Sequence, residues 1–406
     1  MSSHSHQEQR KKFIFVLTSG GDAPGMNAAV RATVRASLGK GWRVFGVRGG
    51  YKGLTNGQIF EYDPSETEPF SRSVAGCIQK GGTVLGSRRF PEFKDESRRK
   101  QALHHMKMKI SDGPGPICIG LVAIGGDGSF RGALGLSETN KKTGTFSELV
   151  VVGIPATIDN DIPGTRVSIG ADTAVNTAVD AIDKIRDTAR SHRRVFFIEV
   201  MGRRCDFLPT MVGLASGAHR IIGPGDYADI DEIVGEITVG FELGKSQMLY
   251  IVAGGVAGHI LDGSRGAFGA RQTERASLVA QMVWENIEKG YRSRIKSMNP
   301  GHMQRGGSPS GYDRRIATVY GDAAVQYIAS PSDFEVVAGP DSAGVLDAVM
   351  VGVSCQDEQW DSVRFTSLEL IVQRADERED GGGPTGIRYL ERYGPINRRC
   401  LRVLDS

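Results

Sequence analysis

The sequence predicts an α/β fold with mainly parallel sheets, divided between two domains, and three observations carry that prediction. Short apolar runs alternate with helix-period segments along the chain: Phe13–Leu17, Arg43–Val47, Leu121–Ile124, Leu149–Ile154, Val195–Val200 and Met248–Ala253 read as buried strands. The first of them runs through a glycine turn into a helix and then another strand, and such crossovers put their strands parallel with a right-handed connection. A length of 406 residues with 39% apolar content exceeds what one core needs and favours two or three domains.

In the first unit, Thr18–Gly25 is the glycine turn. Met26, Val30, Val34 and Leu38 mark one face of a helix that Gly39 and Gly41 end. A second unit begins after Gly170. There Thr173–Ala189 is helical, with Val175, Ala178, Ile182 and Ile185 on one face; Asp229–Leu243 and Leu278–Gly290 are further helices. Gly254–Gly269 and Asn299–Pro309 read as loops, and from Cys355 the chain is charged, with a turn at Asp380–Pro384. Met1–Lys12 is polar and lacks an apolar core, as a disordered tail does and a signal peptide does not.

A formal charge of +3 gives no footprint for nucleic acid. Five cysteines without CxxC spacing predict reduced thiols and a cytoplasmic location. The absence of any run of about twenty apolar residues predicts no membrane span.

The chemistry lies at strand ends. Gly125-Gly126-Asp127-Gly128-Ser129 follows one apolar run, and Pro155-Ala156-Thr157-Ile158-Asp159-Asn160-Asp161 follows the next. Open α/β sheets bind ligands at the carboxyl ends of their strands. Glycines let backbone approach phosphate oxygens, and one carboxylate suits the accompanying Mg²⁺. The competing reading is a structural turn with Asp127 or Ser129 capping a helix. A Thr with two Asp suits a hydroxyl that must lose a proton. Thr18–Gly25 is a further helix-start phosphate site without Walker spacing. Arg194, Arg203, His302 and Arg305 are suited to clamping a phosphate or sugar hydroxyl. Together these spell phosphoryl transfer from a nucleotide to an alcohol.

From about Lys12 to Met350 the chain resembles the ATP-dependent 6-phosphofructokinases. The segments that carry the resemblance, in family order, are Leu17–Arg35, Gly81–Asp95, Gly125–Ala133, Gly153–Thr165, Arg186–Arg203 and Gly301–Asp313. It implies two Rossmann-like three-layer α/β/α domains with the active site in the cleft between them. The larger, ATP-binding domain would take 13–170 and about 304–354; the smaller, sugar-phosphate domain would take 171–303 and about 355–406. It implies Asp159 as the base on the sugar 1-hydroxyl, with Thr157 and Asp161 beside it, and Asp127 as the Mg²⁺ ligand. ATP would meet Gly21, Tyr51, Arg89, Phe90, Gly126, Asp127, Gly128 and Ser129, with Arg89 neutralising the moving phosphoryl. The sugar would meet Met201, Gly202, Arg203 and Arg305, and its 6-phosphate Arg194 and His302. Arg194 would come from a neighbouring subunit, so a homo-oligomer, tetramer or dimer, is implied. Pyrophosphate-using relatives place Asp where this chain has Gly128 and Lys where it has Ala156, so ATP is the expected donor.

Departures lie on the acceptor side. Gly254 stands where a sugar-binding carboxylate is usual, Lys296 where Arg is usual, Pro300 where Leu is usual, and Asp206 where Gly is usual. The expected reaction therefore has an alternative: the same transfer to another sugar phosphate or a nucleoside. A non-catalytic regulatory subunit is a further reading, opposed by the retention of Asp127 and Asp159. Arg31, Arg35, Arg186 and Lys245 match basic positions of the family's effector site, and His219 replaces a carboxylate expected there.

Overall fold

The computed structural model describes residues 11–63, 69–110, 117–226, 228–256, 274–339, 346–353 and 362–380. The first part of the chain forms β1 (Lys11–Thr18), α1 (Met26–Gly39), β2 (Arg43–Val47), α2 (Gly50–Thr55), β3 (Ile59–Glu61), α3 (Pro69–Ala75), α4 (Glu96–Lys109), β4 (Ile117–Gly125), α5 (Asp127–Thr143) and β5 (Glu148–Pro155). Then come α6 (Ala171–Ser191), β6 (Val195–Val200), α7 (Phe207–Ala215), β7 (Arg220–Ile222), α8 (Ile230–Glu242), β8 (Met248–Ala253), α9 (Arg275–Asn286) and β9 (Ile295–Met298). The chain closes with α10 (Gly311–Ala329), β10 (Val336–Val337), β11 (Ala348–Val353), β12 (Val363–Ser367) and α11 (Leu368–Asp380).

These elements form two compact units. The first holds residues through Thr157, then Ile162–Gly170 and Gly307–Ala375; the second holds Ile158–Asp161, Ala171–Gly306 and the residues from Asp376. Among the described residues of the first unit, eight strands run in the order β10-β12-β11-β5-β4-β1-β2-β3. They are parallel except at the β2–β3 and β11–β12 pairs. Alternation along β1 explains the layers: Phe13, Phe15 and Leu17 enter a core with Leu54, Leu103, Phe130 and Leu368 of α2, α4, α5 and α11. Ile14 points the other way and, with Ile328 of α10, closes over Gly120, where a Cβ would meet Ile14 at 2.5 Å. Such burial is worth about 1.5–3 kcal/mol per large apolar side chain.

The second unit is a fully parallel sheet of order β7-β8-β6-β9. Val195 and Phe197 of β6 pack with Ile233, Ile237, Val279 and Val283 of α8 and α9. The opposite face carries α7, whose Gly213 lies against Ile221 and Ile251.

Three expectations change. Lys11 and Lys12 begin β1 instead of ending a tail, because they continue the parallel register with Ile117 and Cys118; residues 1–10 lie outside the described set. The break expected near 355 falls later: β12 pairs with β11 in the larger sheet, and Leu368 and Ile371 of α11 join its core. The helix expected at Leu278–Gly290 occupies Arg275–Asn286, ending where Ile287 turns extended. Most of the loop expected at Gly254–Gly269 and the turn at Asp380–Pro384 lie outside the described residues.

Candidate active site

In the larger sheet the chain leaves β1 towards β2 but returns at β4 on β1's other side, then continues to β5. That reversal is a topological switch point, where the turns beyond the strand ends splay apart and leave room for a ligand. Both glycine turns stand there. Ser19 N–H donates to Ile124 O (3.0 Å), the Ser129 hydroxyl to Ser19 O (3.1 Å), and the Ser87 hydroxyl to Gly20 O (2.6 Å). Thr18 reaches Gly86 O (3.0 Å), so the turn at Gly20-Gly21, the Gly86–Phe90 segment and the start of α5 form one cradle. Gly21, Arg88, Arg89 and Gly128 are exposed on it, and Phe90 is half-buried.

The glycines of the second turn divide by cause. A Cβ on Gly125 would meet Ser129 Oγ at 2.3 Å and Ser19 O at 2.5 Å, so packing demands glycine there. Gly128 has nothing within 4 Å, and Gly126 only Thr157 Cβ at 3.9 Å. Neither has a positive φ. Their smallness is not required by the protein's own packing; it leaves the backbone N–H groups at the start of α5 open to an anion. The helix-cap reading fails at the same place, since Gly126 is the N-cap and no side chain caps α5.

Asp127, first residue of α5, has one oxygen engaged: Oδ2 accepts from Arg131 Nε (2.9 Å). Oδ1 is buried without a hydrogen-bond partner. A buried carboxylate oxygen left unpaired is costly, and a hard cation is the partner its chemistry fits.

Tyr51, expected at the nucleotide, lies behind the turn instead. It is 3% exposed, stacks on Phe93 at 4.3 Å, and its hydroxyl donates to Ser129 O (2.6 Å). Burial holds that phenol well above the usual range.

β5 leads into Thr157 and then Ile158–Asp161, which count with the second unit. The Ser168 hydroxyl donates to Thr157 O (2.6 Å). Ile158 is fully buried and Asn160 takes φ 50, so a tight left-handed turn anchored by an apolar plug presents Asp159 and Asp161. Burial pushes the Asp159 carboxyl up, and the Arg305 and Arg203 guanidiniums pull it back down. An elevated carboxylate flanked by guanidiniums suits a general base.

In the small sheet β6 is central, with β8 and β9 on either side, and its carboxyl end delivers Met201-Gly202-Arg203. Gly202 at φ 147 permits the turn, and the Arg203 carbonyl would stand 2.0 Å from a Cβ on Gly255. After β9 a 3₁₀ turn, Gly301–Arg305, carries exposed His302 and partly exposed Arg305. Between His302 and Arg305 sits Gln304, fully buried and bonded to both turns; the sequence does not mark it, because its burial and partners are set by the fold. Buried Asn27 is likewise unmarked: it accepts from Val84 N (2.7 Å) and donates to Lys80 O (2.8 Å), fixing the segment that leads to Arg89.

Arg194, expected to act in a neighbouring subunit's site, and Lys296 both lie away from the carboxyl end of the small sheet. Arg194 immediately precedes β6, so the six residues of that strand, at about 3.3 Å each, place it roughly 20 Å from Met201. Lys296 is in register with Phe196, near the same amino end. At Gly254 a Cβ would find Glu199 Oε1 at 3.8 Å, ordinary contact, so the position has room beside a carboxylate already present. Glu199 accepts from Ala276 N at the start of α9 (3.1 Å). Of the basic residues matched to an effector site, Arg186 donates to Ser216 O, and His219 Nδ1 accepts from Leu249 N (3.3 Å). No described helix is long and apolar enough to cross a membrane.

Comparison with known proteins adds an independent line. The profile of the phosphofructokinase family matches residues 13–328. An ATP-dependent 6-phosphofructokinase of Staphylococcus carnosus is 43% identical over 317 residues, covering 78% of this chain and 86% of its own length. One from Clostridium novyi is 40% identical over 360 residues, 88% of this chain and 99% of its own. Among solved structures, phosphofructokinase from Saccharomyces cerevisiae superposes with TM-score 0.70 at 30% identity; the match covers 91% of this chain and about half, 46%, of the yeast chain. A pyrophosphate-dependent phosphofructokinase from Marinobacter aquaeolei gives TM-score 0.69 at 18% identity, over 89% and 83% of the two chains, and shares the fold.

Proposed function

The chain belongs to the phosphofructokinase family, and we infer from this that it transfers the γ-phosphoryl group of ATP to the 1-hydroxyl of fructose 6-phosphate, giving fructose 1,6-bisphosphate and ADP. Two observations support the residue roles: in the second unit the Arg305 and Arg203 guanidiniums act on Asp159, and in the first unit Oδ1 of Asp127 is buried without a hydrogen-bond partner. Asp159 accepts the hydroxyl proton, the freed oxygen forms its bond to the γ-phosphorus, and the bridging oxygen leaves with ADP. Thr157 and Asp161 hold the acceptor beside that base, and Met201, Gly202, Arg203 and Arg305 orient the sugar. Gly21, Phe90, Gly126, Gly128 and Ser129 line the triphosphate, and Arg89 offsets charge on the moving group. Tyr51 contributes by fixing the Ser129 carbonyl. Mg²⁺ held at Asp127 would neutralise the β- and γ-oxygens.

ATP rather than pyrophosphate is favoured by the open space at Gly128. A carboxylate there would occupy it and repel an α-phosphate. Arg194 and Lys296, with His302, are read as ligands of the 6-phosphate. Arg194 and Lys296 stand at the amino end of the small sheet, so they serve the site of another copy, and the working form is a homo-oligomer. The test is a coupled assay with purified protein, ATP and Mg²⁺ against a panel of alcohols. Brisk turnover of fructose 6-phosphate is expected; negligible turnover beside a fast alternative acceptor would replace the substrate and keep the chemistry.

A further inference from the structure

Gln304 has no exposed surface, and its amide is used at both ends. Oε1 accepts the Met201 N–H at 3.1 Å, and Nε2 donates to the Gly301 carbonyl at 3.1 Å. One bond reaches the first residue after β6; the other closes the 3₁₀ turn in which Gln304 itself sits. A group satisfied in both directions inside a packed site has one orientation, so the spacing of the two backbone segments is fixed.

The β6 turn is already held from the other side, where Gly255 lies against the Arg203 carbonyl. Gln304 supplies the restraint from the β9 side. The two turns carry Arg203 and Arg305, whose guanidiniums both act on Asp159. We propose that Gln304 is a positioning residue for the acceptor half of the reaction, a cross-brace that sets the spacing of Arg203 and Arg305 about Asp159. The proposal rests on the reading of Asp159 as the base. Only an amide serves: carboxylate would accept from Met201 but repel the Gly301 carbonyl, and an apolar chain of the same size would do neither.

The variants are Gln304→Met, nearly isosteric without hydrogen bonds, and Gln304→Asn, one methylene too short to reach both turns. Each is assayed over a pH series with separate titrations of fructose 6-phosphate and ATP, alongside hydrogen exchange at the Met201 amide. The expected result is a fall of about 10²-fold in kcat/KM for the sugar, as for a misplacement of about 1 Å, with KM for ATP unchanged. The acid limb of the profile moves to higher pH, because the two positive charges that hold the Asp159 carboxyl down recede. The Met201 amide loses protection.

A folded variant whose acid limb and sugar kcat/KM stay at wild-type values overturns the proposal, as does a loss falling equally on ATP. If Gln304→Met does not fold, Gln304→Asn decides on the same readouts. Should wild type prefer another alcohol, the substrate reading fails by itself, and the acid limb with that alcohol still decides the brace.

Discussion

The two units hold their working groups by different means. On the side proposed to take the nucleotide, turns are pinned by hydroxyl-to-carbonyl bonds among Thr18, Ser19, Gly20, Ser87, Gly86 and Ser129, and α5 begins there without a side-chain cap. On the side proposed to take the acceptor, two turns are spanned by one buried amide, and the turns carry the long charged side chains of Arg203 and Arg305. Every nucleotide offers the same phosphates, so a rigid backbone cradle suffices. An acceptor is distinguished by its own hydroxyls and phosphate, and side chains supply those contacts.

This contrast can be broken from its chemical centre outwards. Asp159→Ser should lower kcat by about 10²–10⁴-fold or more, since it removes the positioned base and its charge, while ATP binding measured by calorimetry stays near wild type. A near-normal rate would take Asp159 out of the mechanism.

Gly128→Asp should weaken ATP by about 10²-fold through like-charge repulsion and leave Tm unchanged, because the site is open in the protein itself. Its counterpart, Gly125→Ala, should behave oppositely: about 1–3 kcal/mol of overpacking, read as a lower denaturation midpoint. Equal effects of the two on stability would erase the distinction between ligand-imposed and packing-imposed glycine.

Mixing separately inactive Arg194→Ala and Asp159→Ser protomers, unfolded and refolded together, should restore a measurable fraction of wild-type activity. Sites would then form from one intact Asp159 and another copy's intact Arg194. No recovery, or a monomer by light scattering, would refute the shared site. The smallest effect belongs to Tyr51→Phe, about 1 kcal/mol of stability from the lost bond to the Ser129 carbonyl, with ATP affinity changed only modestly.

Much of this was legible before folding. Strands β2, β6 and β8 fall where their apolar runs place them, and α1, α6 and α8 within a few residues of their periodic faces, because burial on one side imposes a period that sequence cannot hide. The edge strands β3, β7 and β10 were not visible: two or three residues carry no period, and pairing with a neighbour decides them. The helix α4 was missed because it buries only Ala102, Leu103 and Met106 beneath a largely charged surface.

The order of residues alone determined which chemistry is on offer: carboxylates, guanidiniums and glycine turns at strand ends. Such groups are local, and the strand–turn–helix pattern that presents them spans about ten residues. Only the tertiary structure decided their geometry. It sent Tyr51 behind the turn, put Arg194 and Lys296 at the far end of β6 and β9 from Met201, separated the glycine that packing demands from the one it does not, and gave Gln304 two partners. Those outcomes depend on contacts between segments distant along the chain, and distance in space is set by how layers pack, not by which residue comes next.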